Sequence, residues 1–197
     1  MNDQYFTREP NSESRPVSCE FDYRGKHLRF MTDAGVFSRG ELDTGTRLLL
    51  EALPEVMTGS LLDMGCGWGP VGICLKAVWP QAEVILADVN LRALNLSREN
   101  AARNGVQVAC LESDGFAALQ DRTFDAVITN PPVRAGKQVI YQMFAEAAQH
   151  LKEGGSLYLV IRKQQGAESC LKYLKTIFSR VEKLSRSGGF WVLEARK

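Results

Sequence analysis

Ser60-Leu61-Leu62-Asp63-Met64-Gly65-Cys66-Gly67-Trp68-Gly69-Pro70 is the stretch that decides the fold. An apolar run ends near a carboxylate, glycines alternate with other residues, and a proline follows. That order reads as strand, tight turn, helix. Pro70 suits the first helical position, where no amide hydrogen is needed. Glycines at such a turn let a ligand approach the backbone, and the free amides of a helix start favour an anionic group. The dinucleotide fingerprint G-x-G-x-x-G requires a glycine where Pro70 stands, so it fails. The residues read G-x-G-x-G instead, with Asp63 ahead of them.

Working outward, strand and helix patterns alternate. Glu83–Val89 reads as a strand and Leu91–Asn104 as a helix, with Asn90 as its cap and Gly105 as its stop. Val106–Leu111 and Phe124–Thr129 read as strands. Gln138–Leu151 is predicted as a helix ended by Gly154-Gly155, Ser156–Arg162 as a strand and Ala167–Phe178 as a helix. Too few residues separate Val181–Arg186 from Phe190–Ala195 for a crossover, so these strands must pair antiparallel. Upstream, a helix is expected from about residue 41 to Leu53. Val17, Cys19, Phe21 and Tyr23 alternate with polar residues, and His27–Thr32 can return after an Arg24-Gly25-Lys26 turn. Residues 1–16 read as a loose arm. The expected fold is α/β: a Rossmann-like, doubly wound seven-stranded sheet with an antiparallel C-terminal hairpin, plus an N-terminal β-hairpin extension. Residues 1–36 form the arm and extension, and 37–197 the main domain.

Composition narrows the classes. With 45% hydrophobic and 24% charged residues, the chain reads as an ordinary soluble protein. A net charge of +1 supplies no global pull toward nucleic acid, so RNA contact requires a local basic patch. The five cysteines form no CxxC pair, which argues against a disulfide framework or zinc site and for a cytoplasmic protein. Two distant histidines leave no histidine-based metal site. Met1–Tyr5 has no signal-peptide core, and no apolar run is long enough for a membrane span.

Asp88 ends the strand after the glycine loop, where a carboxylate accepts hydrogen bonds from ribose hydroxyls. Asp114, after the next strand, can accept from an adenine amino group. Asn130-Pro131-Pro132 ends the fourth strand beside the loop. The Asn130 side-chain oxygen and the Pro131 carbonyl can both accept from one –NH2 group and aim its lone pair at an electrophile. Alone, the motif could equally be a strand terminator.

Together these stretches resemble the methyltransferase small-domain family of class I S-adenosylmethionine-dependent enzymes, including the ribosomal RNA small-subunit methyltransferase C type. The matching segments are Gly35–Thr46, Leu62–Gly69, Ala87–Asn90, Ser113–Gly115 and Asn130–Lys137. The resemblance implies S-adenosylmethionine as cofactor and methylation of an exocyclic amino group, foremost the guanine 2-amino group in ribosomal RNA. It implies cofactor contacts from Phe37, Asp43, Thr46, Asp63, Gly65, Gly67 and Gly69, and from Asp88, Val89, Asn90, Ser113, Asp114, Gly115 and Asn130. Catalysis falls to Asn130, Pro131 and Pro132. Apart from the resemblance, Arg134, Lys137, Arg162 and Lys163 follow strand ends near the active edge and form the local basic set expected to contact substrate, with Val133 beside them. Many Asn-Pro-Pro enzymes place Phe or Tyr next, to stack on the base; this chain has Val133, leaving Phe37, Tyr5, Phe6 or Phe190 for that role. No second, N-terminal domain of the kind in longer family members is expected from this sequence, so docking is expected on RNA with one domain, as a homodimer, or on a ribosomal subunit. Glutamine methylation of a protein, adenine methylation in DNA and a non-catalytic binding module remain open.

Overall fold

The computed structural model describes Arg8 and residues 12–197. Strands β1 (Val17–Tyr23) and β2 (Lys26–Thr32) pair antiparallel as a separate two-stranded sheet. Arg24 and Gly25 both have positive φ, 46° and 78°, which matches the turn to the twist of the strands. One face of the hairpin is apolar. Phe21 stacks on Phe30, and Phe30 meets the edge of Trp68 with centroids 5.0 Å apart.

Helix α1 (Thr44–Ala52) begins later than expected, because Asp43 caps it by accepting from Thr46 N at 3.0 Å. Next come β3 (Ser60–Met64), α2 (Pro70–Val78), β4 (Glu83–Asp88), α3 (Leu91–Arg103), β5 (Ala109–Glu112) and β6 (Phe124–Thr129). Then come α4 (Lys137–His150), β7 (Leu151–Arg162), α5 (Ala167–Ile177), β8 (Arg180–Ser187) and β9 (Phe190–Arg196). The seven-stranded sheet has the order β5-β4-β3-β6-β7-β9-β8. Strands β3 to β7 run parallel; β9 and β8 close the sheet antiparallel. The expected doubly wound sheet with its terminal hairpin is therefore present.

Strand order reverses between β3 and β6, and this positions the site. After β3 the chain moves outward through β4 and β5, then returns to add β6 on the other side of β3. The carboxyl ends of those two strands diverge into a crevice, the place where ligands of open α/β sheets bind.

Two further expectations are corrected. Strand β5 starts at Ala109, not Val106, because the Gly105 and Val106 amides turn back to the carbonyls of Ala102 and Ala101 and finish α3. Strand β7 starts at Leu151, directly after α4, and runs through Gly154-Gly155. Those glycines do not stop the helix; they lie where β7 shifts register against Phe124 and Ala126. A Cβ on Gly155 would sit 2.9 Å from the Lys152 carbonyl oxygen and 3.0 Å from that of Asp125.

The core has two parts, one on each face of the sheet. One joins the hairpin, α1, α2 and α3, and the other joins α4 and α5. Helix α3 also closes the free edge of β2. Asn100 accepts from Met31 N and donates to Met31 O, at 2.7 and 2.9 Å. Asn104 does the same for Arg29, at 2.9 and 2.7 Å. Four residues of helix rise about 6 Å and two residues of strand about 6.8 Å, so two side-chain amides on one helical stripe can imitate a neighbouring strand. Asn100 also donates to the Trp68 carbonyl at 2.9 Å, tying the hairpin to the glycine loop. Among the described residues no helix is long and apolar enough to cross a membrane.

Candidate active site

The glycine loop sits at the end of β3. Gly65, Gly67 and Gly69 have φ of 69°, 57° and 87°, values that L side chains rarely adopt. A Cβ on Gly65 or Gly67 would meet nothing within 4 Å, so both backbones face open space. Gly69 differs: a Cβ there would lie 2.9 Å from Ile73 Cδ1 and 3.0 Å from Ser97 Oγ. Its role is close packing of helix against strand.

Asp88 holds the loop from the neighbouring strand. Its Oδ2 accepts from Gly67 N at 2.8 Å and its Oδ1 from Asn90 N at 2.9 Å. Burial pushes its pKa upward, opposed by backbone N–H groups of Asn90, Gly67 and Val89. Asp63 is buried beneath the loop and accepts from Gly72 N at 2.8 Å. Desolvation raises its pKa to about 7; the Gly72 amide lowers it and the Asp88 charge adds to the rise.

These groups open into a cleft of about 900 Å³. Of the sequence-predicted cofactor residues, Phe37, Asp43, Thr46, Asp63, Gly65, Gly67, Asp88 and Val89 line it, as do Ser113, Asp114, Gly115 and Asn130. Pro131, Pro132, Val133, Arg134 and Arg162 line it as well. Four predicted residues do not. Gly69 packs behind the loop. Asn90 is buried, caps α3 through Ala93 N and donates to the Gly35 carbonyl, so it braces the segment leading to Phe37. Lys137 lies 5.0 Å over the Tyr141 ring in a smaller cavity that shares Val133 and Arg134. Lys163 begins a 3-10 turn, with its N–H bonded to the Gly189 carbonyl.

Asn130 has a defined orientation. Its Nδ2 donates to Asp43 Oδ2 at 3.1 Å and to Thr46 Oγ1 at 3.0 Å. An ionised carboxylate can only accept, so the amino end of the amide must face Asp43 and the oxygen must face the other way. Asp43 thus caps α1 and fixes Asn130 with one oxygen atom. The Pro131 carbonyl already accepts from Val133 N at 2.8 Å, which leaves it a second lone pair.

Sequence reasoning missed part of the wall. Val139, Gln142, Met143 and Glu146 of α4 line the cleft at helical spacing, but a stripe of mixed polarity carries no periodicity signal that would mark it. Trp68 was not singled out; its Nε1 donates to the Phe37 carbonyl at 3.0 Å. Gln165 lines the cleft from the turn after β7. Of the stacking candidates, Phe37 and Phe190 are wall residues, while Tyr5 and Phe6 lie outside the described residues.

A positive-φ glycine loop, an acid ending the next strand and an Asn-Pro-Pro at the switch point together define an S-adenosylmethionine-dependent methyltransferase. The chain belongs to the methyltransferase small domain family, which matches residues 27–194. It is 39% identical over 201 residues to the uncharacterized protein YbxB of Bacillus subtilis, covering 100% of both chains. It is 45% identical over 140 residues to ribosomal RNA small subunit methyltransferase C of Hahella chejuensis, covering 69% of this chain and 41% of that one. A T. Thermophilus 16S rRNA N2 G1207 methyltransferase, solved in complex with AdoMet and guanosine, superposes with a TM-score of 0.85 at 28% identity, covering 95% of this chain and 52% of that one. The chain spans about half the length of the methyltransferase C relatives it matches.

Proposed function

We propose that this chain transfers a methyl group from S-adenosylmethionine to the 2-amino group of a guanine in small-subunit ribosomal RNA. The observation that carries the reading is the Asn130 amide, turned by Asp43 and Thr46 so that its oxygen is free to accept. When bound, the cofactor supplies an electrophilic methyl on a sulfonium. The open backbones of Gly65 and Gly67 fit its amino-acid end, with the buried Asp63 carboxyl beneath. Asp88 keeps lone pairs for ribose hydroxyls beyond those used by Gly67 and Asn90. Ser113, Asp114 and Gly115 form the wall for the adenine.

Asn130 Oδ1 and the Pro131 carbonyl each accept one N–H of the target amine and aim its lone pair along the transfer path. As the new bond forms, positive charge develops on that nitrogen, and both oxygens stabilise it. As the nitrogen–methyl bond forms, the sulfonium–methyl bond would break to leave S-adenosylhomocysteine; the amine becomes acidic only then, so its proton passes to water and no strong base is required. Arg134 and Arg162 contact the RNA, and Pro132 and Val133 hold the strand end that presents Asn130. In this reading residues 37–197 carry the transfer, and the hairpin within residues 1–36 braces the loop.

The relatives named for ribosomal RNA methylation support this assignment. The test is labelled methyl transfer into isolated small ribosomal subunits, their naked RNA and a protein fraction, followed by nucleoside mass spectrometry. N2-methylguanosine in the RNA is the expected product. Label only in protein glutamine, or binding of S-adenosylhomocysteine with no transfer to any fraction, overturns the reading.

A further inference from the structure

Val133 leaves the Asn-Pro-Pro strand end without an aromatic ring, and its side chain is part-buried against the α4–α5 side of the core. A base held by Asn130 still needs a flat surface. The wall of the cleft provides one that the sequence disguises. Arg162 ends β7 and Phe190 begins β9, and they are direct cross-strand partners. The Arg162 guanidinium carbon lies 4.6 Å from the Phe190 ring centroid. The ring itself is backed by Gly45, where a Cβ would come within 2.9 Å of it. Gly45 stands between Asp43 and Thr46, the two residues that orient Asn130. The Arg162–Phe190 pair therefore belongs to the same wall as the amine clamp.

Among the described residues no carboxylate or other acceptor engages the Arg162 N–H groups, so its placement rests on the ring. A guanidinium is planar and weakly hydrated, and it stacks on bases much as an aromatic ring does. Phe37 also lines the cleft, but its backbone is tied to the glycine loop through Trp68, away from the Asp43–Thr46 wall that orients Asn130. We propose that Arg162, braced against Phe190, is the stacking platform for the target base, in place of the ring that Val133 lacks. This deepens the RNA reading and rests on it: the residue assigned to contact RNA would read the face of a base rather than a phosphate.

Arg162→Lys separates the two roles, because it keeps the charge and removes the plane. With small ribosomal subunits as substrate, Arg162→Lys should lower kcat/KM about tenfold, in the range of one lost stacking contact. Affinity for S-adenosylhomocysteine should stay at the wild-type value, and so should the slope of RNA affinity against salt. Phe190→Leu should give a similar loss that does not add to that of Arg162→Lys, since one platform is removed twice. If Arg162→Lys retains wild-type kcat/KM while Arg162→Ala flattens the salt slope by about one, Arg162 is a phosphate contact and the platform is overturned. A wild-type protein that methylates no RNA overturns the proposed function, and the platform with it.

Discussion

The two sides of the cleft are built on different principles. The cofactor side is made of neighbours: Gly65, Gly67 and Asp63 lie on one turn, and Asp88 reaches them from the adjoining strand. The amine side is made of strangers. Asn130 takes its orientation from Asp43 and Thr46, which are 87 and 84 positions away in sequence. Arg162 takes its brace from Phe190 on a strand that enters the sheet last. A backbone-built site needs only the right turn, whereas a side-chain-built site needs the whole fold to be in place. In the proposed reading, the first binds a ligand shared by many enzymes and the second decides what happens to it.

If the two sides are separable, Asn130→Ala should lower kcat by about a thousandfold, the upper range for removing one preorganised group. Calorimetry should find S-adenosylhomocysteine affinity within about twofold of wild type. A matching loss of cofactor affinity would break the distinction. Asp43→Ala comes next, with an expected fall in kcat of about a hundredfold, because the Asn130 amide is then free to flip. In an Asn130→Ala background the same change should cost almost nothing further in kcat. Additive losses would mean that Asp43 acts other than through Asn130. The lost helix cap, about 1 kcal/mol, is measured separately by denaturation.

On the cofactor side, Asp88→Asn should weaken S-adenosylhomocysteine about thirtyfold, the scale of a charge-assisted hydrogen bond. Saturated with S-adenosylmethionine, this variant should keep its kcat; a reduced kcat at saturation would blur the comparison. The cofactor side also predicts a pH dependence of stability, an effect on folding and not on turnover. The Asp63 carboxyl has a pKa of about 7 in the fold against an ordinary 3.8. Between those values the folded protein holds a proton that the unfolded chain has released. Stability of the ligand-free protein should therefore fall as pH rises from about 4 to about 7, then level off. The drop over that window should be about 4 kcal/mol in chemical denaturation and should vanish in Asp63→Asn. A curve unchanged by that substitution would assign the slope to other groups.

The same contrast explains what the sequence revealed. The strand-turn-helix around Gly65 was legible because each residue acts on its immediate neighbours, and Pro70 alone ruled out the dinucleotide pattern. Asp88 was legible because strand spacing fixes where the next acid falls. Asp43 and Thr46 were reached only through family resemblance, and then as cofactor contacts; no local rule pairs them with Asn130. Gly154-Gly155 misled because glycines after a helical run look like a stop, whereas they serve a register shift set by Phe124 and Ala126 on another strand. Asn90 is legible as a cap, whereas its bond to the Gly35 carbonyl, 55 positions away, has no local signature.

The paired amides of Asn100 and Asn104 make α3 a gauge for the hairpin. They grip Met31 and Arg29, and alternate residues of a strand present their N–H and C=O groups to the same edge. A slip of β2 by one residue would offer both amides groups that point toward β1 instead. The hairpin thus locks at one notch or not at all. Because Asn100 also holds the Trp68 carbonyl, a single residue inserted between Gly25 and Met31 would be felt at the floor of the glycine loop, in a part of the chain it never touches.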